Sequence, residues 1–135
     1  MSLTFQELRT ANARRCIRWH RGGVQSWSAS DWLTAITGEL GELASLIKMR
    51  NRERDELVGN KFSPTTEMIA KEAADVAIYL DLFCEAHGID LGAAIEAKFN
   101  EVSRRNGFPE QLGIEGDSGV LDGTNRTTNG TIGQP

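Results

Sequence analysis

The chain has 135 residues and a mass of 14.8 kDa, with 39% hydrophobic and 25% charged residues. That composition fits one globular domain with a core of modest size. The net charge of −4 leaves no basic surplus for wrapping nucleic acid or lying on an anionic membrane. Residues 109–135 carry four acids (Glu110, Glu115, Asp117, Asp122) against one base, Arg126, so residues 1–108 are close to neutral. Cys16 and Cys84 have no CxxC spacing and read as reduced core thiols. No charged-then-apolar leader opens the chain, and its longest clean apolar run is Val76 to Leu80. A signal peptide or membrane span is therefore not expected, and the chain reads as cytoplasmic.

Four helical segments follow in order. The first opens on Thr4-Phe5-Gln6-Glu7, a capping-box pattern, carries Leu8, Ala11, Cys16 and Trp19, and closes at Gly22-Gly23. The second starts near Ser28, with Asp31 three residues on, and runs through Trp32, Ile36, Leu40, Leu43 and Ile47 to a polar stretch, Arg50 to Lys61. The third is expected to begin with Ser63 as N-cap and Pro64 as first helical residue, to pass through Ile69, Val76, Leu80 and Phe83, and to stop at Gly88. The fourth begins at Asp90 and carries Leu91, Ile95, Phe99 and Val102 to Asn106-Gly107. No alternating run of useful length occurs, so the expected fold is all-α. The domain is placed at residues 1–108. Residues 109–135, with six of the 14 glycines and no aromatic residue, read as a flexible tail. Two sequon-like triplets there, beginning at Asn125 and Asn129, are best explained by chance in a cytoplasmic chain.

The informative residues sit inside helices two and three. Helix two contains Glu39-Leu40-Gly41-Glu42 and helix three contains Glu72-Ala73-Ala74-Asp75, each placing two acids three apart on one face. Glu72 falls within the stripe Ile69, Val76, Tyr79, Phe83, and Glu39 lies between Ile36 and Leu43. Acids beside an apolar stripe are costly unless matched, and four together raise one another's pKa. A divalent cation removes both penalties, and an all-oxygen donor set favours Mg²⁺ or Mn²⁺ over zinc. One Glu-x-x-Glu pair alone is usually a solvated face; two pairs on consecutive helices are harder to explain that way. A di-iron carboxylate bundle needs Glu-x-x-His, which neither His20 nor His87 provides.

The segments Glu39-Leu-Gly-Glu42-Leu and Glu72-Ala-Ala-Asp75-Val-Ala-Ile-Tyr79-Leu resemble the MazG-like all-α nucleoside triphosphate pyrophosphatases, whose relatives include dimeric dUTPases, dCTP pyrophosphatases and phosphoribosyl-ATP pyrophosphatase. The resemblance continues through Gly88-Ile-Asp-Leu and Lys98-Phe-Asn100 to Arg104-Arg105 and covers most of residues 1–108. Two departures stand out. The family motif usually begins Glu-Glu-x-x-Glu where this chain has Gly38, and 29 residues separate Glu42 from Glu72, at the long edge of the family range.

The resemblance implies a four-helix bundle that assembles as a homodimer or homotetramer. It also implies that Glu39, Glu42, Glu72 and Asp75 hold Mg²⁺, with Mn²⁺ as substitute. Glu39 or Glu42 would orient a water for attack on the α-phosphorus of a nucleoside triphosphate, giving the monophosphate and pyrophosphate. Lys98, Arg105, Tyr79, Lys48 and Asn100 are the candidates for the phosphates. Asn12 and Arg15 on the first helix match positions near the site. His20 and Trp27 flank Gly22-Gly23 and are candidates for holding the base, whereas core packing is the cheaper account of Trp19 and Trp32. The alternatives are a non-enzymatic helical module that binds a nucleotide or protein, and a plain helical scaffold whose acids are surface pairs. No membrane and no nucleic-acid partner is expected.

Overall fold

The computed structural model describes residues 2–113. Most of the segment read as a tail, including both sequon-like triplets, lies outside the described residues. The chain forms α1 (Phe5–Trp19), a short 3-10 turn (Gly23–Ser26), α2 (Ala29–Arg54), α3 (Thr66–Ala86) and α4 (Leu91–Asn106). There is no strand among the described residues, and the fold is all-α. No helix among them is long and apolar enough to cross a membrane.

Two reciprocal caps start the first two long helices. The Thr4 hydroxyl accepts from the Glu7 N–H at 3.2 Å while the Glu7 carboxylate accepts from the Thr4 N–H at 2.9 Å. Ser28 and Asp31 repeat the exchange at 3.2 and 2.8 Å. The Thr4 backbone N–H holds the Glu7 carboxyl below its ordinary range, and the Ser28 hydroxyl does the same for Asp31. For a lowered acid the stabilisation is present above the unfolded pKa, at about 4, and is lost as pH falls through the folded value. Ser28→Ala is therefore expected to lower the melting temperature at pH 7 and to matter less at pH 3. A melting difference independent of pH would remove the ionised Asp31 from the account.

Two boundaries differ from the sequence expectation. Helix α2 continues four residues past Arg50, because a polar run of good helix formers ends a core stripe without ending a helix. Helix α3 starts later, with Thr65 as its cap, bonded to the Met68 N–H at 3.2 Å. Ser63 instead donates to Glu53 at 3.1 Å, and Arg50 bridges the Pro64 carbonyl (3.2 Å) and the Thr66 hydroxyl (2.9 Å), which fixes Ser63 and Pro64 in the connection. At the far end Gly88 (φ 65°) lets the Ile89 N–H return to the Cys84 carbonyl at 2.8 Å.

The largest interface joins α2 to α3. Arg50 meets Thr66 near one end and Trp32 meets Tyr79 near the other, so the pair is antiparallel. Helix α1 lies across α3, and α4 packs chiefly on α1, where Phe5 covers Gly92. The small core is Cys16, Trp32 and Leu82, closed by Val24, Trp27, Tyr79, Phe83 and Ala86. Both cysteines are buried and free. Trp19, expected in the core, is instead 57% exposed. As the last residue of α1 it lies beyond the α3 contact, with the Arg15 guanidinium 4.9 Å over its ring.

A buried polar knot ties α1 to α3. Asp81, fully buried, accepts from Arg9 Nε at 2.8 Å and from Asn12 Nδ2 at 3.1 Å, while Arg9 also reaches Glu85 at 2.8 Å. Removing one partner of such a pair strands the other charge in the core. Arg9→Met is expected to cost about 3 kcal/mol in a chemical denaturation experiment. A change below about 1 kcal/mol would mean that Asn12 alone satisfies Asp81.

Helix α2 has a second apolar face. Leu33, Thr37, Leu40, Ala44 and Ile47 recur at alternating spacings of four and three, and all five are exposed. That is the repeat of a coiled-coil seam, directed away from the α3 contact.

Candidate metal centre

The antiparallel α2–α3 pair brings the two acidic motifs face to face. Carboxylate oxygens of Glu39, Glu72 and Asp75 lie within 4.8 Å of one another, and all three side chains are half-buried. Glu42, one turn after Glu39, is exposed and stands outside this trio. Burial raises the pKa of Glu72 first, and the nearby charge of Glu42 adds to it. Burial first, and then the charges of Glu42, Asp75 and Glu72, push the Glu39 carboxyl above its ordinary value. None of the four forms an ion pair among the described residues. A Cβ at Gly38 or Gly41 would meet nothing within 4 Å, so the surface of α2 beside Glu42 is open.

The donor set fits a hard divalent ion. Three carboxylates converge from two helices, a fourth stands at the rim, and no lysine or arginine among the described residues pairs with them. Neither cysteine nor histidine belongs to the cluster. Such all-oxygen, charge-rich surroundings suit Mg²⁺ or Mn²⁺, which retain waters and accept phosphate oxygens.

Tyr79 follows Asp75 by one turn and carries the face onward. Burial raises its pKa first, followed by the charges of Glu39 and Asp75, with Arg15 opposing them. From Tyr79 a row of rings leads away from the carboxylates. Trp32 lies 6.4 Å from Tyr79, Trp27 lies 4.6 Å from Trp32, and His20 lies 4.5 Å from Trp27 (centroid distances). Trp32 is fully buried, with its indole N–H donated to the Val24 carbonyl at 3.0 Å. His20 and Trp27 are half-buried at the outer end of the row.

The other candidates fall elsewhere. Asn12 is buried and gives its amide to the Ile78 carbonyl (2.8 Å) and Asp81, with Arg15 on its oxygen at 3.3 Å. Its contacts are those of the α1–α3 knot. Lys98 pairs with Glu101 at 2.8 Å, and with Arg105 it stands exposed on α4, away from the α2–α3 face. Asn100 makes two bonds to the Leu112 backbone, at 2.9 and 2.7 Å, and so anchors the chain beyond α4. Lys48 projects from the far end of α2 into a cavity beside the α2–α3 connection. Sequence reasoning passed over Asp81 and that cavity. The available signal for Asp81 was an acid interrupting the apolar run Leu80-Asp81-Leu82; for the cavity there was none, since Gly59, Asn60 and Lys61 meet α2 only through the course of the loop.

No protein-family model matches the chain, and no curated protein matches it.

Proposed function

We propose that the protein is a Mg²⁺-dependent nucleoside triphosphate pyrophosphohydrolase of the MazG-like type. The observation that carries this is the convergence of Glu39, Glu72 and Asp75 within 4.8 Å, with Glu42 beside them and no ion pair to any of the four among the described residues. A plain scaffold has no reason to keep four unmatched acids at the seam of its principal helix pair. A bound divalent ion would neutralise triphosphate oxygens and lower the pKa of a water.

The chain's own groups supply the rest. Glu72 and Asp75 on α3, with Glu42 at the rim, would fix the ion. Glu39, whose pKa burial and the neighbouring acids raise, would orient the attacking water and accept its proton. The water oxygen bonds to the α-phosphorus, the bond from that phosphorus to the bridging oxygen breaks, and pyrophosphate leaves with the electron pair. The Tyr79 hydroxyl, beside Glu39 and Asp75, is positioned to donate to a phosphate oxygen. The nucleobase would lie toward His20 and Trp27, at the half-buried end of the aromatic row. Assembly as a homodimer or homotetramer belongs to the same proposal, supported by the exposed seam on α2.

The test is a screen of all dNTPs and rNTPs with Mg²⁺ for equimolar monophosphate and pyrophosphate. Release from at least one is expected, and release from none would overturn the assignment. One observation favours a second reading: Gly38 stands where the family motif has its first acid, and Glu42 is outside the close trio. A nucleotide-binding module without turnover would be stabilised against heat by Mg²⁺ plus a non-hydrolysable dNTP, yet release no pyrophosphate. A plain scaffold would show no shift.

A further inference from the structure

The C-terminal half of α2 and the connection that follows it flank an open cleft of about 340 Å³, where Lys48, Arg52, Lys61, Ser45 and Asn60 stand around the apolar side chains of Met49 and Phe62. Three bases face it and no acid does. Of the acids close by in sequence, Glu53 is held by Ser63 and Asp55 by Arg54, and Glu56 does not line the cleft. Lys48 and Lys61 have no hydrogen-bond or ion-pair partner among the described residues.

The walls are built rather than loose. Asn60 donates its amide to the Met49 carbonyl at 2.8 Å and pins the loop to α2. Arg52 is half-buried and donates to the Val58 carbonyl, and Gly59 adopts φ 103° with its Cα turned against that guanidinium. The φ of 103° at Gly59 favours glycine, and a side chain there would also press on the Arg52 nitrogen at 3.0 Å. One base is thereby pre-positioned while two flexible ones hang beside it. Repulsion among three cations in one cavity is relieved by an anion with several oxygens.

We propose that this cavity binds a phosphate-class anion, a pyrophosphate or the terminal end of a polyphosphate chain, through Lys48, Arg52 and Lys61. Lys48 follows Glu42 by six residues, a rise of about 9 Å along the helix. The anion is therefore either the far end of a substrate held at the carboxylates or a separate phosphate ligand, and the chemistry of recognition is the same. Binding at the cavity does not depend on turnover at the carboxylates.

Calorimetric titration of pyrophosphate into the full chain in EDTA isolates the cavity from the metal centre. Lys48→Met and Lys61→Met, which break no contact within the fold, are each expected to weaken binding by about fivefold to tenfold, and Arg18→Met on α1 is expected to leave it unchanged. Absence of binding to the wild type, undiminished wild-type affinity in either lysine variant, or an equal loss with Arg18→Met would overturn the proposal. If the cavity serves the substrate, Lys48→Met also raises KM while sparing kcat. If it serves a separate ligand, pyrophosphate and a non-hydrolysable dNTP bind together with Mg²⁺ present. Either result upholds the anion site, and both binding arms can be read even if no nucleotide is hydrolysed.

Discussion

Asp75→Asn is expected to abolish pyrophosphate release and, in EDTA, to melt slightly above the wild type. The two effects have one cause. Glu39 and Glu72 have raised pKa values, so the folded state disfavours their charged forms. For an acid shifted upward, the penalty is present above the folded pKa and vanishes as pH falls below the unfolded value. Deleting one neighbouring charge at neutral pH relieves part of that penalty without changing the side chain's volume. The melting advantage should therefore shrink toward pH 4 and reverse when Mg²⁺ is added, because only the wild type gains the ion. Removing a carboxylate ligand should lower kcat/KM by more than about 100-fold, the scale of a few kcal/mol of transition-state charge stabilisation. Glu42→Gln, at the rim, is expected to act in the same direction. Full activity in Asp75→Asn would end the metal-centre proposal. Lower stability in EDTA would show that these acids are structural.

The second large effect concerns self-association. Among the described residues the buried core side chains are Cys16, Trp32, Leu46, Leu82 and Cys84, while Leu33, Leu40 and Ile47 line the exposed seam and Ile95 and Phe99 stand out from α4. A domain of this size with so small a core needs burial from another source. Sedimentation is expected to find a dimer or tetramer, with a melting temperature that rises with protein concentration. Leu33→Glu combined with Leu40→Glu places two charges in the seam and should raise the dissociation constant by at least about 1,000-fold. Helix content measured at the highest concentration separates loss of assembly from loss of fold. A wild-type chain that is monomeric at all concentrations would remove the seam from consideration.

The helices were legible because their ends are written locally. Thr4 with Glu7, Ser28 with Asp31, Asp90, and the glycines at 88 and 107 act within a few residues of themselves. The start of α3 was missed because Arg50 and Glu53, from another helix, hold Ser63 and Pro64 in the loop. The acidic pairs were visible in their i, i+3 spacing, and the antiparallel pairing that makes them meet follows from consecutive helices. What spacing cannot express is depth. Trp19 and Trp32 look alike in sequence, yet one is solvent-facing and the other fully buried. Asn12 looked like a site residue, but its amide is taken by Asp81, an acid whose partner Arg9 lies 72 positions away.

The uneven attachment of the helices has a dynamic consequence. Helices α2 and α3 share the broadest contact, whereas α4 is held mainly at α1 and leaves Ile95 and Phe99 uncovered. Amide protons of α4 in an isolated subunit should therefore exchange with solvent through a low-energy local opening, while those around Trp32 and Leu82 wait for global unfolding. Such an opening of the last helix would leave the carboxylates in register, since none of them lies on α4.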